Sequence, residues 1–87
     1  MDFEVLVEVR LRQGIADPQG ATIERALPAL GFDGIGHVSV GKAIRFVMTA
    51  GDEDAARSTV DELCRRFLTN PVIEDAAVSL TTLDPAR

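Results

Sequence analysis

The sequence has no tryptophan and no tyrosine; Phe3, Phe32, Phe46 and Phe67 are its only large aromatic rings. Platforms that stack the bases of single-stranded nucleic acid are therefore scarce. Positive charge is also short. Nine Lys and Arg residues face 14 Asp and Glu, a net charge of −5. Such a chain repels phosphate backbones, which argues against nucleic acid as a partner. A single cysteine, Cys64, permits no internal disulfide, and that fits a reducing cytoplasm. No apolar run approaches the roughly 18 residues of a membrane span. The start, Met1-Asp2-Phe3-Glu4, lacks the basic opening of a signal peptide. At 87 residues there is room for one small domain. A chain of this size buries only about 60–65% of its unfolded surface. The composition describes a small soluble acidic module that needs partners.

Periodicity supplies the elements. Over residues 2–12, Phe3, Val5, Val7, Val9 and Leu11 alternate with Glu4, Leu6, Glu8, Arg10 and Arg12. A period of two rich in branched side chains predicts a half-buried strand. Asp17-Pro18 opens a helix, with Asp as cap and Pro in the first turn. Ile23, Ala26, Leu27 and Leu30 are its expected buried stripe, and Gly31 its stop. Pro28 predicts a kink or a tightened last turn. From 37 to 49 the apolar residues Val38, Val40, Ile44, Phe46 and Met48 are all even-numbered. A two-residue hairpin at Gly41-Lys42 would flip that phase, so one long strand is expected. Thirteen residues would span roughly 43 Å against a compact diameter of about 31 Å. Such a strand bends or projects into a neighbour.

Asp52 caps a second helix, with Glu53 and Asp54 at its start and Arg65 and Arg66 near its end, as the helix dipole favours. Ala56, Val60, Leu63, Cys64 and Phe67 form its expected buried stripe, and Asn70-Pro71 stops it. Val72-Ile73 through Val78 and Leu80 suggest a third strand. The expected fold is α+β: one small domain, β-α-β-α-β, over residues 1–83, with a C-terminal tail at 84–87. Two helices lie on one face of a three-stranded sheet. The other face, with Leu6, Ala43, Val47 and Ala77 among charges, and the long second strand are expected to be buried in an oligomer.

Chemistry-bearing residues are few. Gly36-His37-Val38-Ser39-Val40-Gly41-Lys42 matches the spacing of a phosphate loop, but Ala43 stands where a magnesium-binding hydroxyl is needed and the run lies in a strand. His37 has no partner that would make it a general base, and Cys64 sits on a buried stripe where thiols are inert. One His and one Cys cannot build a four-ligand zinc site. Asp52, Glu53, Asp54, Asp61 and Glu62 read as a helix cap and a solvated face. No catalytic, cofactor-binding or metal-binding residue is expected. Three residues fit a plain domain poorly: Lys42, in phase with buried neighbours, and the glycines Gly20 and Gly41, which let backbone come close. Two readings fit them: a snorkelling Lys with two tolerated glycines, or a contact surface for another chain.

Those residues fall in two of four blocks: Asp17-Pro18-Gln19-Gly20, Leu30-Gly31-Phe32, Val40-Gly41-Lys42, and Asn70-Pro71-Val72-Ile73-Glu74-Asp75. In this order and spacing they resemble the PurS family, the small subunit of phosphoribosylformylglycinamidine synthase. Ser39 departs from the basic residue common before Val-Gly-Lys, and Ala76 from the aromatic that often follows Glu-Asp. The resemblance implies a non-catalytic adaptor in de novo purine biosynthesis. It would bridge a glutaminase subunit and a large synthetase subunit and assist ammonia transfer. The assembled ligase would use ATP and magnesium in the synthetase partner, and this chain alone would turn nothing over. A homo-oligomer, dimer or tetramer, is expected, in the cytoplasm, without membrane or nucleic-acid contact. Asp17, Pro18, Gln19, Gly20, Gly41, Lys42, Asn70, Pro71, Glu74 and Asp75 are the expected partner-contact residues. The competing reading is a small-ligand-binding regulatory module.

Overall fold

The alternation near the N-terminus becomes the central strand of the protein. The computed structural model describes residues 1–83, so the expected tail at 84–87 lies outside the described residues. Strand β1 (Asp2–Leu11) runs antiparallel to both neighbours in a sheet of order β2-β1-β3. Its odd residues Phe3, Val5, Val7 and Val9 are buried. Val5 stands between Phe46 and Leu80, and Val7 between Ile44 and Val78. Each fully buried valine of this row contributes about 1.5–3 kcal/mol. Strand β3 (Glu74–Leu83) begins two residues later than expected, because Asn70 to Ile73 form a turn.

Helix α2 (Glu53–Leu63) starts where Asp52 Oδ1 accepts the Ala55 N–H at 2.7 Å. It rests against β3 and closes the core with Ala56, Val60 and Cys64. The expected stripe fails at its last member. Cys64–Leu68 is a π-turn, in which the Thr69 N–H donates to the Cys64 carbonyl at 3.0 Å. One extra residue in the turn advances the phase. Leu68, not Phe67, packs on the core, and Phe67 is left 80% exposed.

Helix α1 (Pro18–Ala26) is followed by a 3₁₀ turn at Pro28–Leu30, the tightened end that Pro28 predicts. Gly31 stops it in the left-handed region, at φ 91°. The expected buried stripe of α1 is open: Ile23 is 45% exposed and Leu30 69%. Its one buried residue is Gly20. The core is closed by α2 alone, because α1 stands beyond the sheet rather than over it. Strand β2 (Lys42–Thr49) is shorter than the expected strand over 37–49. Among the described residues, segment 37–41 has no strand partner, and His37 turns it with φ 56°. Lys42, expected in a buried row, is exposed as the first residue of β2, paired with Val9 at the end of the ladder.

The result is elongated, 51 × 33 × 15 Å, with a radius of gyration of 17.1 Å. A compact chain of this length would measure about 12 Å. The exposed surface is 6484 Å², against about 5,000 Å² for a compact monomer of this mass.

Candidate partner interface

Asp17 organises one end of the molecule. Its Oδ1 accepts the Gly20 N–H at 3.0 Å and caps α1; its Oδ2 accepts the Val40 N–H at 2.8 Å. Two turns along α1, Glu24 Oε1 accepts the Val38 N–H at 2.9 Å. Two carboxylates thus strap the segment 38–40 along the helix. Hydrogen bonds to the Asp17 carboxylate, from Gly20 first and then Val40 and Gln19, hold its pKa below the ordinary 3.8 against the opposing effect of desolvation. The strap explains Gly20, and the close approach of β1 explains Gly41. A Cβ on Gly20 would collide with the Val38 carbonyl oxygen, and one on Gly41 would come within 2.5 Å of that of Val9. The backbone that approaches Gly20 closely belongs to its own chain.

These contacts shape an open groove of about 340 Å³. The start of α1 supplies Asp17, Pro18 and Gln19; the approach to β2 supplies Gly41 and Lys42; β3 supplies Glu74. Its floor is the end of β1, Val9 to Leu11. Among the described residues Lys42 makes no ion pair. Six of the ten expected contact residues, far apart in sequence, meet here.

Asn70, Pro71 and Asp75 gather next door. Asn70 Oδ1 accepts the Val72 N–H at 3.2 Å, a turn within which Pro71 sits. The Asn70 N–H donates to Glu74 Oε1 at 2.7 Å, and the Asn70 carbonyl accepts from the Glu74 N–H at 2.8 Å. Arg12 then fastens this turn to β1, through its N–H on the Ile73 carbonyl (2.8 Å) and its guanidinium 3.4 Å from Asp75. Pro71, Glu74 and Asp75 line a second hollow of about 220 Å³, so Glu74 belongs to both. Gly20 lines neither; it works underneath, by admitting Val38.

Pattern reading gives no site role to Glu24 or Arg12. Glu24 carries no local signal, because its partner lies 14 residues away. The phosphate-loop spacing resolves as the strapped segment and its entry into β2, with no helix after Lys42. His37 is exposed in the loop before that segment, whereas Cys64 is buried under α2, its thiol pushed up by burial and then by Asp61. Among the described residues no cluster of three or more His, Cys, Asp or Glu is placed to hold a metal, and no helix is long and apolar enough to cross a membrane.

A three-stranded antiparallel sheet with one covering helix, one outlying helix and a groove of mixed charge defines a small α+β domain. Residues 4–82 match the family model of PurS, phosphoribosylformylglycinamidine (FGAM) synthase. The PurS subunit of Methanothermobacter thermautotrophicus is 38% identical over 84 residues, 97% of this chain and 99% of that one. That of Methanocaldococcus jannaschii is 33% identical, over 94% of this chain and 99% of its own. Among solved structures, a chain in the PurLQS structure of Thermotoga maritima superposes with a TM-score of 0.86 at 30% identity, covering 93% of this chain and 99% of that one. The chain belongs to the PurS family, a subunit of phosphoribosylformylglycinamidine synthase in purine biosynthesis.

Proposed function

We propose that this chain is the adaptor that joins the glutaminase and the ATP-dependent synthetase subunits of phosphoribosylformylglycinamidine synthase, and that it does so as a homo-oligomer, dimer or tetramer. The observation that carries the reading is the gathering of Asp17, Pro18, Gln19, Gly41, Lys42 and Glu74 around one exposed groove. They meet the larger subunits, together with Pro71 and Asp75 in the adjoining hollow; Asn70 shapes the turn beside that hollow, and Gly20 holds the groove's wall in place. ATP and magnesium are used by the synthetase partner, in the cytoplasm, and ammonia passes between the larger subunits with this chain as a brace. Self-association is supported by a surface about 1,500 Å² larger than that of a compact monomer of the same mass. A standard interface takes about 800 Å² from each partner.

Co-purification with the glutaminase and synthetase from the same source tests the reading. Glutamine-dependent turnover is expected only when all three are combined. Lys42→Glu should lower recovery of the complex while leaving the melting temperature of the isolated subunit unchanged. Turnover of glutamine or ATP by this chain alone, or normal recovery with Lys42→Glu, would defeat it.

A further inference from the structure

Lys42 is the one lysine of the chain. It opens β2 opposite Val9, it is exposed, and among the described residues it makes no ion pair. In the adjoining hollow, by contrast, Arg12 lies 3.4 Å from Asp75. Two carboxylates stand in the groove with Lys42, and both are engaged by backbone. Asp17 holds the Gly20 and Val40 N–H groups, one on each oxygen. Glu74 holds the Asn70 N–H at 2.7 Å. These bonds compensate the carboxylate charges where they stand. The Lys42 ammonium keeps its three donors to offer. Arg10 also lines the groove, but side chains alternate along a strand, so it leaves β1 on the face opposite to Val9 and Lys42. In a chain of net charge −5, the groove is thus a place where a cation waits for a partner.

We propose that the occupant of this groove is an acidic segment of a larger synthase subunit. An Asp or Glu side chain of that segment pairs with Lys42 Nζ, and an apolar neighbour rests on Leu11 and Val40. The inference rests on the adaptor reading above and names the chemistry of the partner. Charge complementarity selects it. The free group of the groove is a single ammonium, and a single carboxylate answers it. A phosphate is a poor fit: its further negative charge would face Asp17 and Glu74, and the chain as a whole repels a phosphate backbone. The floor decides how much the pair contributes. Val9 is buried, and Leu11 and Val40 are half-buried apolar side chains. A segment laid on them excludes water from the ammonium, and the attraction of the two charges grows as the surroundings lose polarity. Left open to solvent, the same pair would contribute little.

A lone lysine makes the contact directly measurable. The assembled complex of this chain with the glutaminase and the synthetase is treated with a water-soluble carbodiimide, which joins an amine to a carboxylate that touches it. After digestion, mass spectrometry should find Lys42 linked to an Asp or Glu of one of the two larger subunits. The α-amino group of Met1 lies at the far end of β1, on the Ala50 carbonyl at 2.9 Å, so its products are distinct. If the three subunits co-purify and Lys42 links to no carboxylate, or only to another copy of this chain, the inference is wrong and the adaptor reading stands. If they do not co-purify, both fail. The cross-link uses the unmodified chain, so it does not depend on how variants fold. Variants give the second measure. Lys42→Met should weaken assembly roughly thirtyfold or more, as loss of one partner of a desolvated charge pair does. Lys42→Arg keeps a cation that pairs with carboxylates and should retain most of the assembly. Lys42→Glu should be rescued by a partner in which the linked carboxylate is exchanged for lysine. Equal assembly by the Met and Arg variants would also overturn the inference.

Discussion

The carboxylate of Asp17 holds the Val40 N–H at 2.8 Å, across 23 residues of sequence, while its other oxygen caps α1. One side chain thus fixes both where the helix begins and where the approach to β2 runs. The groove exists because these two decisions are made together.

The first consequence concerns Gly20. In an ordinary helix, alanine at this position would add up to about 1 kcal/mol of stability. Here its methyl group collides with the Val38 carbonyl and comes within 2.7 Å of Asp17 Oδ2. Backbone has to move, and overpacking of this kind costs about 1–3 kcal/mol. Gly20→Ala should lower the denaturant midpoint of the isolated subunit and expose the Val38 and Val40 amides to exchange. Gly51→Ala, at a site with no atom nearby, should do neither.

Acid should release the strap before it unfolds the sheet. The folded Asp17 has a pKa below 3.8 because its charged form accepts backbone N–H bonds. A depressed carboxyl stabilises the fold above its unfolded pKa, and that contribution fades as pH falls below about 4 toward the folded value. Amide exchange at Val40, corrected for intrinsic rate, should therefore accelerate below pH 4 while Val5 and Val7 stay protected. Asp17→Asn should remove this pH dependence. The amide oxygen of the introduced asparagine can still cap the helix, so α1 should persist in the variant.

The thiol of Cys64 makes the opposite case. Burial, then the charge of Asp61, raises its pKa above the ordinary 9.0. The folded state favours the protonated thiol, so its contribution is present below pH 9 and is lost as pH rises through the folded value. Iodoacetamide at pH 8 should label the native protein slowly and the unfolded protein fast. Equal rates in the two states would show that Cys64 is not held under α2.

How much of this was legible in the sequence depends on the range of the cause. The row Phe3, Val5, Val7, Val9 is local and period two, and it became the core as read. The caps at Asp17 and Asp52 and the stop at Gly31 are also decided within a few residues. The blocks that carry the family resemblance proved to converge: Asp17-Pro18-Gln19, Gly41-Lys42 and Glu74 line one groove. Three features could not be read locally. The stripe of α1 has the pattern of a buried helix, yet among the described residues nothing covers Ile23 and Leu30. Residues 37–41 have the alternation of a strand, yet among the described residues no strand pairs with them. The strap from Glu24 to Val38 joins residues with no shared periodicity.

The sharpest check falls on neighbours. A helical wheel carried on from Ala56 and Val60 through Cys64 puts Phe67 in the core and Leu68 outside. The π-turn at Cys64–Leu68 exchanges them, and Thr69 locks the turn with its N–H at 3.0 Å and its hydroxyl at 2.9 Å from the Cys64 carbonyl. Leu68→Ala should therefore cost roughly 1–3 kcal/mol, less than a fully buried leucine because the site is half-open. Phe67→Ala should change the isolated subunit by no more than about 0.5 kcal/mol, as exposed substitutions do. Thr69→Val removes the hydroxyl bond and should bring the two values closer by loosening the turn. Chemical denaturation of the three variants measures this directly. A large loss for Phe67→Ala with little for Leu68→Ala would mean that the helix continues in α form to its end and that the extra residue in the turn is absent in solution.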